Sequence, residues 1–306
     1  MTTFFLKAIA MFAMLLDHFG AVFGLGGWGM ESLITASYYF RLAGRIAFPL
    51  FAFALTEGWI HTHDKQKYFS RICLGAIISE IPFTMAFYTA NYQTYGGKFD
   101  FRFMPVFLLM AALSVFVYWY VVCNKKTDRT HIVLGIAALL PVFSVKLSGM
   151  WFLVSDELNV LYTFMFGIAI MYLVDIICCR KRKAVQIILL SACIVIGMIA
   201  YCNNADYGCM GAFLVLILFL VWKFSICQEK GKYIQGCLIF LWGMLFYGIM
   251  LQNWTNAICT LIPAVLVMFY NQKPGKVPAL LKKSFYVIYP GHLLVLGIVN
   301  MIIKIT

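Results

Sequence analysis

The sequence predicts an all-α membrane protein: a polytopic bundle of about eleven transmembrane helices, N-terminus in the cytosol and C-terminus outside, forming a single domain over residues 1–306. Three observations predict it. Hydrophobic residues make up 63% of the chain and charged ones 12%, about half the charged share of roughly 25% in soluble proteins. Apolar runs of bilayer-spanning length recur from one end to the other. The basic residues between those runs alternate in density.

Composition comes first. No soluble core can hide so much apolar surface, so lipid must cover it. Aromatics reach 17%, as expected where rings settle at membrane interfaces. The net charge of +12 lies in short loops between spans, which removes it as an argument for nucleic-acid binding. Ten cysteines are scattered singly apart from Cys178-Cys179, with no spacing of a metal site or disulfide framework.

The runs fall near 4–24, 38–60, 69–90, 103–123, 131–150, 158–178, 184–202, 209–227, 233–251, 254–270 and 284–303. The first lacks a basic n-region and ends in Asp17-His18 rather than a small-residue cleavage site, so it reads as a retained span. One alternate set of loops holds Lys65, Lys67 and Arg71; Lys125, Lys126 and Arg129; Arg180 to Lys183; Lys223, Lys230 and Lys232; and Lys273, Lys276, Lys282 and Lys283. That is 17 of the 24 basic residues. Basic loops stay cytosolic, which orients the whole ladder and places the chain in the inner (cytoplasmic) membrane as a multi-pass protein.

Ionisable groups inside spans are costly and mark function or buried pairs. The chain carries Asp17 and His18 in the first span, Arg41, Arg45 and Glu57 in the second, Glu80 in the third, Asp175 in the sixth and His292 in the last. Adjacent helical residues point about 100° apart, so Asp17 is a poor orienter for His18. Arg41 and Arg45, four apart on one face, are the expected partners of Asp17. Such a pair can simply lock two helices together, so the pairing alone does not name a function. Glu57 reads as a solvated helix end. His61 and His63 with Asp64 lack a fourth ligand, and no metal is expected. Pro49, Pro82 and Pro290 each remove a helical hydrogen bond, which predicts three interrupted helices near Arg45, Glu80 and His292, and a polar cavity at mid-membrane.

These residues resemble the TraX family, named for a pilin N-terminal acetylation protein. The matching stretches are Leu6-Lys7 through Met14 to His18; Arg41 to Phe51; Glu57-Gly58 with His61-Thr62; Tyr68 with Arg71; and Ile78-Ser79-Glu80-Ile81-Pro82-Phe83. They continue with Asn159-Val160, Thr163 and Gly167; Ala205-Asp206-Tyr207-Gly208; Tyr270-Asn271 with Gly275; and Phe285-Tyr286 running to Tyr289-Pro290 and His292-Leu293. Between the Glu80 motif and Asn159, about 75 residues replace what is a short passage in the family pattern, enough for two extra spans. The resemblance implies acetyl transfer, and a distant similarity to the broader transmembrane acyltransferases implies cytosolic acetyl-CoA (acyl-CoA) as co-substrate, with an acceptor on the other side of the membrane. The acceptor is left open among protein, glycan and lipid.

Acyl transfer needs a base for the acceptor's proton and a group to stabilise the oxyanion. His18 is the expected general base or transient acyl carrier. Asp17, Arg41 and Arg45 would set geometry and charge, with Glu80 nearby in the cavity. At about 1.5 Å per residue, His292 lies roughly 14 Å beyond Lys283 and His18 roughly 20 Å beyond the start of its span, so His292 is expected nearer the cytosol, assisting at the inner end. Arg71, Lys282 and Lys283 are candidates for the CoA phosphates, although positive-inside charge explains them equally well. The rival class is a transporter or flippase, in which broken helices and buried charge mark a substrate path. Against it stands the lack of a clear internal repeat.

Overall fold

The computed structural model describes residues 1–24, 31–95, 112, 158–203, 205–225, 228–275 and 279–305. Among the described residues every regular element is a helix: α1 Thr3–Gly24, α2 Glu31–Gly44, α3 Ala47–His61, α4 Lys65–Tyr95, α5 Val160–Cys179, α6 Lys183–Cys202, α7 Gly208–Phe224 and α8 Gln228–Gly243. A π-helix, Met244–Met250, continues α8, followed by α9 Trp254–Cys259, α10 Leu261–Met268 and α11 Ala279–Ile305. Five stretches are long and apolar enough to cross a membrane: Thr3–Gly24, Lys65–Phe87, Val160–Cys179, Lys183–Cys202 and Lys230–Met250. The expected spans near 103–123 and 131–150 lie outside the described residues.

The contacts divide the chain into two compact units. One holds Met1–His61 and Phe213–His292, the other Thr62–Ala212 and Leu293–Thr306.

In the first unit, α1 and α2 pack backbone to backbone. Gly20 and Gly24, four apart, let them approach: a Cβ at Gly20 would sit 2.9 Å from the Ser37 carbonyl, and one at Gly24 would collide with the Ser37 side chain. This is the small-residue spacing that brings membrane helices close. The span expected over 38–60 is two helices, α2 and α3, separated at Arg45–Ile46, where the interruption by Pro49 was expected. Pro49 has no N–H for the Arg45 carbonyl, and the chain turns there on shorter i→i−3 bonds, Arg45 N–H to Leu42 O at 3.2 Å and Ile46 N–H to Ala43 O at 3.2 Å. The other two prolines do not act this way. Pro82 lies inside a continuous α4 and Pro290 inside a continuous α11, so the expected interruptions near Glu80 and His292 are absent. One missing hydrogen bond does not end a helix whose flanking turns are intact.

The run expected at 254–270 is also two helices, α9 and α10, which meet at Thr260. The Thr260 hydroxyl donates back to the Ala257 carbonyl at 2.6 Å, a local bond that competes with the helical ladder. The start of α1 is tied to the segment before α11: Thr3 N–H donates to Lys273 O at 3.0 Å and Phe4 N–H to Pro274 O at 3.2 Å. Glu57 is not a solvated helix end. It is buried and accepts a hydrogen bond from the Tyr270 hydroxyl at 3.0 Å, and that hydroxyl also meets Thr3 Oγ1 at 2.9 Å. A carboxylate at a helix end can stay buried when a neighbouring segment supplies donors, here the chain preceding α11.

In the second unit, Lys65 at the head of α4 pairs with Asp175 of α5 at 3.1 Å. Asn159 caps α5, its side chain accepting from Leu161 N–H at 3.0 Å. The Asp206-Tyr207-Gly208 turn leads into α7 with Tyr207 at φ 64°. It is held by Asp206 N–H to Leu158 O at 2.9 Å and by the Thr163 hydroxyl on the Asp206 carbonyl.

Candidate active site

Asp17 lies on α1 where the end of α2 passes closest. The reason is Gly44: a Cβ there would overlap the Asp17 carboxylate. With glycine in place, Arg41 Nη1 donates to Asp17 Oδ2 at 3.0 Å and Arg45 Nη2 donates to Oδ1 at 3.1 Å. One carboxylate thus holds two guanidiniums, leaving a net charge of +1. Side-chain exposure separates the two: 40% for Arg41 and 12% for Arg45. Arg45 is fixed further by Nε donating to the Arg41 carbonyl at 3.0 Å and Nη1 to the Tyr247 hydroxyl at 3.4 Å. Its guanidinium carbon stands 5.6 Å from the Tyr247 ring centroid. Tyr247 belongs to the π-helix, a widened turn of the kind often found at functional sites.

One residue along α1, His18 Nδ1 stands 2.7 Å from His292 Nε2 of α11. The rings lie nearly parallel, 12° apart with centroids 4.9 Å apart. The Tyr289 ring presents itself to both at T-shaped angles. His292 Nδ1 lies 2.7 Å from the Ile288 carbonyl. A carbonyl only accepts, so His292 Nδ1 carries the proton and, in the neutral ring, Nε2 is the acceptor. The proton between the rings then belongs to His18 Nδ1, which leaves His18 Nε2 as its basic nitrogen. A backbone carbonyl therefore sets both tautomers.

The histidines were expected at different depths, and this is a correction. The expectation counted His292 from Lys283, but α11 begins at Ala279, and Thr3 and Phe4 hold the preceding segment level with the start of α1. Thirteen residues of α11 and fifteen of α1 then rise by about 20 Å and 22 Å, bringing the rings together.

Glu80 has other company. It lies in the second unit, buried, with Oε2 accepting from Asn159 Nδ2 at 2.6 Å and from Asn159 N–H at 3.2 Å. Asn159 Nδ2 also reaches the Ala76 carbonyl at 2.9 Å. Arg71 is exposed on α4. Lys282 and Lys283 belong to the start of α11, and their side chains lie outside the described residues. Among the described residues, no group of three or more His, Cys, Asp or Glu side chains converges as metal ligands.

Two polar partners in the first unit escaped sequence reasoning. Tyr247 sits in an unbroken apolar run with nothing to separate it from sixteen other tyrosines. Tyr270 was visible only as part of a motif. Asn159 likewise stood in a motif, but its bonds to Glu80 were not foreseeable from spacing.

The fold and this site define a class: a multi-helix membrane protein with an Asp17 ion pair to Arg41 and Arg45 and a hydrogen-bonded histidine pair. The TraX protein family matches the chain over residues 3–155 and 102–300, and the chain belongs to the TraX family. The two matches overlap within the stretch that sequence reading treated as inserted. The chain is also 39% identical over 80 residues to the probable fimbrial assembly protein FimC, serogroup H1, of Dichelobacter nodosus, a match that covers 26% of this chain and 30% of the relative. No solved structure matches.

Proposed function

We propose that this protein is a membrane-embedded acyltransferase that moves an acetyl group from cytosolic acetyl-CoA to an acceptor in the cell envelope. The observation that carries the reading is the hydrogen-bonded series from the Ile288 carbonyl through His292 to His18. It is the arrangement of base and orienter that nucleophilic acyl transfer uses. His18 Nε2 takes the proton of the acceptor amine or hydroxyl as its nitrogen or oxygen attacks the thioester carbonyl. The charge that develops on the carbonyl oxygen is met by the net +1 of the Asp17, Arg41 and Arg45 group, with Arg41 the more exposed donor. Collapse of the tetrahedral intermediate breaks the carbon–sulfur bond, and the departing thiolate takes the proton from the His18 imidazolium. His292 shares that positive charge through the bond between the rings, without leaving its own carbonyl.

The family and the relative named for fimbrial assembly favour a pilus or fimbrial subunit as acceptor. Arg71, exposed on α4, suits a CoA phosphate. The charge ladder supports about eleven spans, N-terminus in and C-terminus out, in the inner membrane. The test is incubation of the purified protein with labelled acetyl-CoA and envelope fractions. Label should appear on an acceptor, and His18→Ala should slow its transfer by about 10² to 10⁴ while acetyl-CoA binding persists. Transfer at the unmutated rate would make His18 a packing residue. No acetyl-CoA binding by any form would put the transporter reading ahead.

A further inference from the structure

The connection between α5 and α6 holds an unneutralised charge. Arg180, Lys181 and Arg182 form the whole link and Lys183 opens α6, and all four are exposed. Asp175 is the sole acidic residue between 158 and 205, and Lys65 occupies it at 3.1 Å. Among the described residues, none of the four bases is paired with a carboxylate. The link is also held in place. Gln186 Nε2 donates to the Arg180 carbonyl at 2.8 Å, and Arg180 N–H donates to Ile177 O at 3.1 Å. Arg180 and Arg182 both have extended backbones, φ/ψ −96°/133° and −81°/115°. Two exposed guanidiniums, two residues apart, thus stand on a three-residue link that joins two helices long and apolar enough to span a membrane.

Beyond this link, one face of α6 is exposed. Ile187, Leu190, Ile194, Met198 and Tyr201 form one helical stripe, and all are exposed, at 56% to 66%. From Ile187 to Met198 the stripe rises about 16 Å, roughly half of a 30 Å hydrocarbon core. We propose that the α5–α6 hairpin is a binding site for an anionic phospholipid, its phosphodiester on Arg180 and Arg182 and an acyl chain along the α6 stripe. The occupant follows from charge and continuity together. The guanidinium pair suits a phosphate, and basic clusters beside a spanning helix attract anionic lipid. A soluble phosphate compound would use the arginines but leave the apolar stripe unexplained.

The test uses the full chain, purified in detergent and delipidated, with binding of phosphatidylglycerol and of phosphatidylcholine of the same chains measured by native mass spectrometry. The expected result is preferential retention of phosphatidylglycerol. Arg180→Gln with Arg182→Gln should weaken it by about 30-fold, and Arg180→Lys with Arg182→Lys should weaken it less. The charge-matched control is Lys67→Gln with Lys230→Gln, two exposed bases elsewhere, which should leave binding unchanged. Size-exclusion profiles matching the unmutated protein confirm that each variant is folded. Four results overturn the proposal: unaltered binding in the double glutamine variant, an equal loss in the control, equal affinity for phosphatidylcholine, or complete competition by inorganic phosphate or free CoA at equimolar concentration. The last would reassign the patch to a soluble phosphate ligand.

Discussion

His18 Nδ1 and His292 Nε2 meet at 2.7 Å across a sequence separation of 274 residues, and the Ile288 carbonyl behind His292 decides which nitrogen of each ring carries a proton. This relationship yields a graded prediction. His292→Ala removes the acceptor for His18 Nδ1–H, frees the His18 tautomer and should lower transfer by one to two orders of magnitude, short of the loss in His18→Ala. His292→Gln should recover part of it, since an amide oxygen can accept from His18 while its nitrogen donates to Ile288. Nitrogen NMR of labelled His18 checks the cause: Nδ1 protonated in the unmutated protein and the glutamine variant, mixed in the alanine variant.

The Asp17 group should respond to both charge and space. Asp17→Asn leaves two guanidiniums with no carboxylate at membrane depth, and breaking a buried pair costs about 3–5 kcal/mol. Accumulation in the membrane and activity per cell should both fall. Gly44→Ala should act on the same contact without changing charge, because its Cβ overlaps the Asp17 side chain, and overpacking costs about 1–3 kcal/mol. A Gly44→Ala protein as heat-stable as the parent would show that α2 can move away from α1 at no cost.

At the other end of the first unit, Glu57 and Tyr270 test stability apart from chemistry. Tyr270→Phe removes the donor to buried Glu57 and should destabilise by about 1–3 kcal/mol. Transfer per folded molecule should hold, since neither residue takes part in the proposed steps. Thermal unfolding alongside single-turnover transfer separates the two effects.

Reporter fusions decide the proposed topology. A reporter between Cys179 and Lys183, in the basic link, should read cytosolic. One in 203–208, where Asp206 is the single charge, should read external. The same side for both would break the alternation on which the count of spans rests.

By itself, the sequence determined that this is a helical membrane protein and that Asp17, His18, Glu80 and Asp175 lie in helices long and apolar enough to cross a membrane. Hydrophobic run length and the cost of burying charge are local properties, and they act before any tertiary contact forms. The union of Asp17 with Arg41 and Arg45 was legible too, because buried charge of one sign demands the other nearby. The meeting of His18 with His292 was decided by tertiary structure. A residue's height depends on where its helix starts, and the tie between Thr3 and Lys273 levels α1 with α11. Tertiary structure also decided that Pro49 breaks its helix while Pro82 and Pro290 do not, and that Glu57 is buried under Tyr270. A single missing hydrogen bond or a lone carboxylate has no fixed consequence until the surrounding segments supply, or withhold, a substitute partner.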